Sequence, residues 1–158
     1  VYDLFLRMEQ DVLAKKPQGV VIYVGVNDVW HKRLTGTGTD LNKFEQFYKA
    51  IIQKLKSQQI GVIVCTPAVI GEKTDFSNEL DGDLNAYAAA IRNMARQQDV
   101  DLVDLRQEFL NYNLAYNKNN RESGILTYDR VHLNQQGNLL VAQAMWQVIK
   151  RQQDQLDK

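Results

Sequence analysis

The side chains able to do chemistry gather in two short segments of the 158-residue chain. Asp129-Arg130-Val131-His132 sets a carboxylate three positions before an imidazole. A carboxylate so placed can fix the tautomer of a histidine and stabilise its protonated form, which is the arrangement of an oriented general base. Gly25-Val26-Asn27-Asp28 follows the apolar run Val20–Val24, so an amide and a carboxylate stand at the end of a strand. Neither pattern is specific alone: Asp28-Val29-Trp30-His31 repeats the Asp-x-x-His spacing in the same chain. A base of this kind calls for a nucleophile. Ser57, Ser77 and Ser123 fall in predicted loops or helix ends, and none sits on a tight strand-to-helix turn.

The elements that must position these residues alternate along the chain. Residues 2–16 read as a helix with Phe5, Met8, Val12 and Leu13 on its apolar side, ended by Pro17 and Gly19. Residues 20–24 read as a strand buried on both faces. Residues 40–57 form an amphipathic helix, with Leu41, Phe44, Phe47, Tyr48, Ile51, Ile52 and Leu55 on one face and Asp40 as N-cap. Further strands are predicted at 61–66 and 100–105, and further helices at 83–97, 106–117 and 134–152. The alternation predicts a parallel sheet with right-handed crossovers and helices on both faces. Ligands bind such sheets at the carboxyl ends of the strands. The Gly25–Asp28 segment, Thr66-Pro67 and the Asp129–His132 loop all fall at that edge.

Composition narrows the function. A hydrophobic fraction of 44% supplies one core, and the formal net charge is zero. That balance argues against a nucleic-acid or anionic-membrane partner. The longest apolar run, Val20 to Val26, is too short to span a membrane. The chain opens in mid-helix without Met, which leaves a leader, and so a secreted or periplasmic location, open. Cys65 is single and reads as a small buried core residue. Two histidines with scattered carboxylates do not make a catalytic zinc site, which takes three protein ligands. Neither metal nor cofactor is expected. Thr35-Gly36-Thr37-Gly38-Thr39 lacks the ending of a phosphate cradle and reads as a flexible loop.

With order and context added, the chain resembles the SGNH, or GDSL-type, ester hydrolases from residue 1 to about 150. Gly25-Val26-Asn27-Asp28 is similar to the family's third block. Asp129 to His132, followed by Leu133-Asn134-Gln135-Gln136-Gly137-Asn138, is similar to its fifth. Arg130 stands where glycine is common. The first block, Gly-Asp-Ser, and the second, which carries an oxyanion glycine, have no counterpart here. The chain is therefore expected to begin just after the second block, with residues 1–158 the C-terminal part of a single hydrolase domain.

The resemblance implies a three-layer α/β/α fold of flavodoxin-like type without its N-terminal strands. The edge of strand 20–24 is then expected to be covered by the missing segment or by another chain. It also implies a carboxylic-ester hydrolase of Ser-His-Asp type, in which His132 is the base, Asp129 its orienting carboxylate and Asn27 an oxyanion donor. Gly25, Asp28, Trp30 and His31 are the expected substrate-binding residues, with Asp28 bracing its loop through backbone N–H bonds. The implied substrate is a small ester, such as an acetylated carbohydrate or a short-chain lipid ester. The competing reading is a non-catalytic carbohydrate- or ligand-binding module on the same fold. A Gly-Asp-Ser ahead of Val1 would favour the enzyme.

Overall fold

Three short strands run parallel in the order β1 (Gly19–Tyr23), β2 (Gly61–Cys65), β3 (Asp101–Val103). The structure is a computed structural model and describes residues 1–156. Helix α1 (Tyr2–Asp11) precedes β1, and α2 (Val26–Thr35) follows it directly. Helix α3 (Leu41–Ser57) carries the chain to β2, and α4 (Asp81–Gln98) carries it to β3. Helices α5 (Leu105–Tyr116) and α6 (Gln135–Leu156) come last.

Alternation of side chains along the strands sorts them into two cores. Ile22, Val62 and Val64 face α1, α3 and α4, where they meet Met8, Phe44, Ile52 and Leu84. Ile63, Cys65 and Val103 face α5 and α6, where they meet Phe109 and Val148. This is the expected helix–sheet–helix arrangement. Helix α3 owes its place to Phe44, Tyr48, Ile51, Ile52 and Leu55, all buried at three- and four-residue spacing. Each such aliphatic or aromatic side chain contributes roughly 1.5–3 kcal/mol. Among the described residues, no helix is long and apolar enough to cross a membrane.

Four local expectations are corrected. Helix α1 stops at Asp11, and a 3-10 turn over Leu13–Lys15 follows it. Strand β1 is not buried on both faces: Ile22 is buried, while Val20, Val21 and Tyr23 are half-buried, because β1 pairs with β2 alone. An apolar groove of about 230 Å³ runs along its open edge past Leu4, Met8, Val20 and Val24. Asp40 precedes α3 but makes no side-chain cap bond; its carboxylate pairs with Lys32 at 2.5 Å instead. Residues 26–35, of which Asp28 was expected in a loop, are helix α2, which ends at Gly36, and residues 36–40 connect it to α3 without helix or strand.

A polar knot joins the carboxyl ends of β2 and β3. Thr66 Oγ1 donates to Asp104 Oδ1 at 3.0 Å and accepts the Arg106 N–H at 2.9 Å. Arg92 forks onto the same Asp104 at 2.7 and 2.8 Å. Arg106, buried, reaches Asp81 at 2.7 Å. The carboxyl edge of the sheet is thereby tied to α4 and α5.

Candidate active site

Asp129 and His132 lie on a turn closed by its own backbone. Tyr128 N–H donates to His132 O at 2.8 Å, and Thr127 and Leu133 form an antiparallel bridge. Below it, Asn134 N–H donates to Leu126 O at 2.9 Å. Asn134 Oδ1 then accepts the Gly137 N–H at 3.0 Å, which starts α6. A Cβ on Gly137 would sit 2.1 Å from Leu126 O, so the close approach of helix and turn requires glycine there.

Inside the turn, Asp129 Oδ1 accepts the N–H groups of Val131 at 3.1 Å and His132 at 2.8 Å. Its Oδ2 lies 2.7 Å from His132 Nδ1. The hydrogen bond from the His132 ring and that from the His132 backbone hold the Asp129 carboxyl down to about 2. An ionised carboxylate only accepts, so Nδ1 carries a proton and, in the neutral ring, the lone pair falls to Nε2. The ring also meets Trp30 edge-on, with centroids 5.5 Å apart and planes at 80°. Asp129 and His132 are both exposed to solvent.

The second segment comes from the β1-to-α2 turn. Gly25 has φ +129°, a conformation that favours glycine, and a Cβ there would stand at ordinary contact distance, 3.5 Å, from Phe44 and Pro67. The first helical bond of α2 runs from Val29 N–H to Gly25 O at 3.2 Å. The N–H groups ahead of it, on Val26, Asn27 and Asp28, form the positive end of the helix. Asn27 is exposed in this first turn.

The two segments meet. Gly25, Asn27, Asp28 and His132 line one cavity of about 460 Å³. Trp30 and Asp129 line the adjoining cleft of about 310 Å³. His31 does not line the cavity that holds His132; it lines a neighbouring one of about 620 Å³, beside Thr37 and Phe47, that shares Asn27 and Asp28 with it. Asp28 is buried in α2 and does not brace a loop through backbone N–H groups. Both its oxygens lie 3.1 Å from the backbone nitrogen of Val1. None of the three serines lines the cavity with Asn27 and His132. Ser77 lies in the 310 Å³ cleft, but its hydroxyl donates to Asp75 at 2.6 Å.

Arg130 has φ +81°, a backbone conformation that suits glycine and strains a side chain. Its guanidinium, 4.0 Å from Glu122 on the exposed rim, returns little. Arg130→Gly is expected to stabilise the fold by about 0.5–1 kcal/mol, the relief of strain outweighing the added unfolded-state entropy. Thermal unfolding should show Tm rising by roughly 1–3 °C; a fall in Tm would refute the strain.

One residue of the site escaped sequence reasoning. Glu72 is fully buried, and its carboxylate accepts the N–H groups of Ile125 and Leu126, beside the stem of the Asp129–His132 turn. Its only sequence signal was a charge one glycine after the apolar stretch Ala68-Val69-Ile70.

The chain is similar to known proteins in sequence and in fold. The model of the GDSL-like Lipase/Acylhydrolase family matches residues 2–140. An acetylxylan esterase of Geobacillus stearothermophilus is 28% identical over 151 residues, covering 91% of this chain and 64% of that protein. The chain thus spans less than two thirds of that relative's length. The crystal structure of an acetyl xylan esterase, AlAXEase, is 61% identical with a TM-score of 0.91, covering 92% of this chain and 74% of that one. A catalytic mutant of the Geobacillus stearothermophilus enzyme, altered at a serine, is 26% identical with a TM-score of 0.82, covering 94% of this chain and 66% of that one. Two more of its catalytic mutants are altered at an aspartate and at a histidine three positions later.

Proposed function

The chain belongs to the GDSL-like lipase/acylhydrolase family, and from that membership we propose that it forms the base-bearing part of a serine ester hydrolase that removes acetyl groups from carbohydrate. The observation that carries this is the 2.7 Å bond from His132 Nδ1 to an ionised Asp129, at the edge of the cavity that holds Asn27. A binding module has no use for an imidazole oriented in this way. The same reading makes residues 1–158 part of a single hydrolase domain. The serine comes from a segment outside these residues, and the open edge of β1 has room for the strand that bears it.

In this mechanism His132 Nε2 takes the serine proton as the hydroxyl oxygen attacks the ester carbonyl carbon. The carbonyl π electrons move onto oxygen, and the Asn27 amide and the positive end of α2 meet that charge. Collapse of the tetrahedral adduct breaks the bond to the alcohol oxygen, which takes the proton from His132. Water repeats the cycle on the acyl-enzyme and releases acetate. Asp129 stays ionised throughout and stabilises each imidazolium. The acetyl group and carbohydrate are supported by the acetylxylan esterases among the relatives.

The test is acetate release from acetylated xylooligosaccharide by the serine-bearing protein. Absence of hydrolysis there and on a simple acetyl ester would overturn the reading. In that protein, Asn27→Ala is expected to lower kcat by roughly 10²- to 10³-fold, with KM changed far less. An unchanged kcat would remove Asn27 from the oxyanion site.

A further inference from the structure

We propose that Glu72 is a positioning residue that sets the Asp129–His132 turn against the strand ends; this rests on reading that turn as the base of an ester hydrolase. Glu72 is fully buried. Its two carboxylate oxygens accept successive amides, Ile125 N–H at 2.8 Å and Leu126 N–H at 2.6 Å. Its own N–H donates to Glu122 O at 3.0 Å, and its carbonyl accepts Asn117 Nδ2–H at 2.7 Å. One residue thus makes four hydrogen bonds to the segment that enters the turn.

The neighbouring bonds make this a reference point. Gly71 N–H donates to Arg130 O at 2.8 Å, so the turn is gripped inside as well as at its stem. The Leu126 whose N–H meets Glu72 uses its carbonyl to receive Asn134 N–H, which closes the stem. At the other end of the same connection, Pro67 packs against the Gly25 turn that presents Asn27. The 67–72 segment therefore touches both halves of the site. It fixes where the imidazole stands relative to the amide, while Asp129 fixes how the imidazole is turned. A misplacement of about 1 Å in such a constellation can cost on the order of 100-fold in rate.

The carboxylate is what the place demands. Two adjacent N–H donors converge on it, and a buried donor left without an acceptor is costly. Glutamine keeps the volume but offers one oxygen, and its NH₂ then meets a donor. Aspartate keeps both oxygens on a stem one methylene shorter.

The experiment uses Glu72→Gln and Glu72→Asp in the serine-bearing protein, each also combined with His132→Ala. Kinetics on an acetyl ester are read beside the NMR resonance of the His132 Nδ1 proton. Glu72→Gln should lower kcat by roughly 10- to 100-fold with KM within about twofold, and weaken or shift that resonance. Glu72→Asp should recover part of the loss. In the His132→Ala background neither substitution should cost more than about twofold, because Glu72 acts through the base. A kcat for Glu72→Gln within twofold of wild type overturns the proposal, and so does an equal loss with and without His132. If Glu72→Gln does not fold, the same criteria are applied to Glu72→Asp. Should His132→Ala itself retain activity, the functional reading fails separately. An unmoved resonance would then reject the positioning role without reference to turnover.

Discussion

Replacing His132 by alanine in the serine-bearing protein is expected to lower kcat by on the order of 10⁴- to 10⁶-fold, with KM little changed. The size follows from the proton inventory. A serine hydroxyl is a weak nucleophile until a neighbouring group takes its proton, and the leaving alcohol needs one returned. His31, the other histidine of the chain, lines the neighbouring cavity that shares Asn27 and Asp28 with that of His132, and its ring has no carboxylate partner among the described hydrogen bonds. The remaining rate would come from the oxyanion donors and binding alone. Stopped-flow release of a chromogenic alcohol should show loss of the acylation burst. Retention of a rate within a few-fold of wild type would remove His132 from the chemistry and return the nearby serines to consideration.

Asp129→Asn should cost about 10⁴-fold in kcat while leaving the turn intact. The amide oxygen can still accept the Val131 and His132 N–H groups, which Asp129 Oδ1 accepts in the native chain. The amide NH₂ now faces Nδ1, so the favoured tautomer places the imidazole proton on Nε2. The base is then present, in place and wrongly protonated. The same contact predicts a pH behaviour. The Asp129 carboxyl is depressed to about 2, chiefly by the His132 hydrogen bonds. For a depressed carboxyl the favourable interaction is fully present above the unfolded value. It is lost only as pH falls from there through the folded value. Asp129 therefore stays charged across the range in which the fold is expected to persist. A ¹³C titration of its carboxyl should find a midpoint near 2; a midpoint near 4 would mean that the bond to the ring is absent in solution.

The Asp129–His132 pair was legible because it is local. Three residues of chain bring Asp129 to His132, and the Leu133–Asn138 run that follows builds the cap of α6. Asn27 and Gly25 were legible because an apolar strand announces its own end. Helix α2 was not. Glycine occupies its N-cap position, and its apolar residues Val29 and Trp30 are set among charged neighbours. Its helical state is fixed by docking beside α4 and by the His132 ring. That docking turned Asp28 inward and sent His31 to another cavity. Glu72 was out of reach for a different reason: its carboxylate's partners lie 53 and 54 residues further along the chain. Burial of β1 was overestimated because its composition describes a paired strand, and within these residues only one neighbour is present.

The turn closed by Tyr128 N–H and His132 O separates two kinds of precision. Orientation of the imidazole is written within a few consecutive residues and needs no distant support. Location of the imidazole is borrowed from β2 and the connection that leaves it. The two should therefore fail at different temperatures. On warming, the placement of the ring should be lost when the connection loosens, while the Asp129–His132 pair persists as an ordered but misplaced unit. Divergence has the same freedom: the walls contributed by α2 and the 67–72 connection can be rebuilt without disturbing the Asp129–His132 pair.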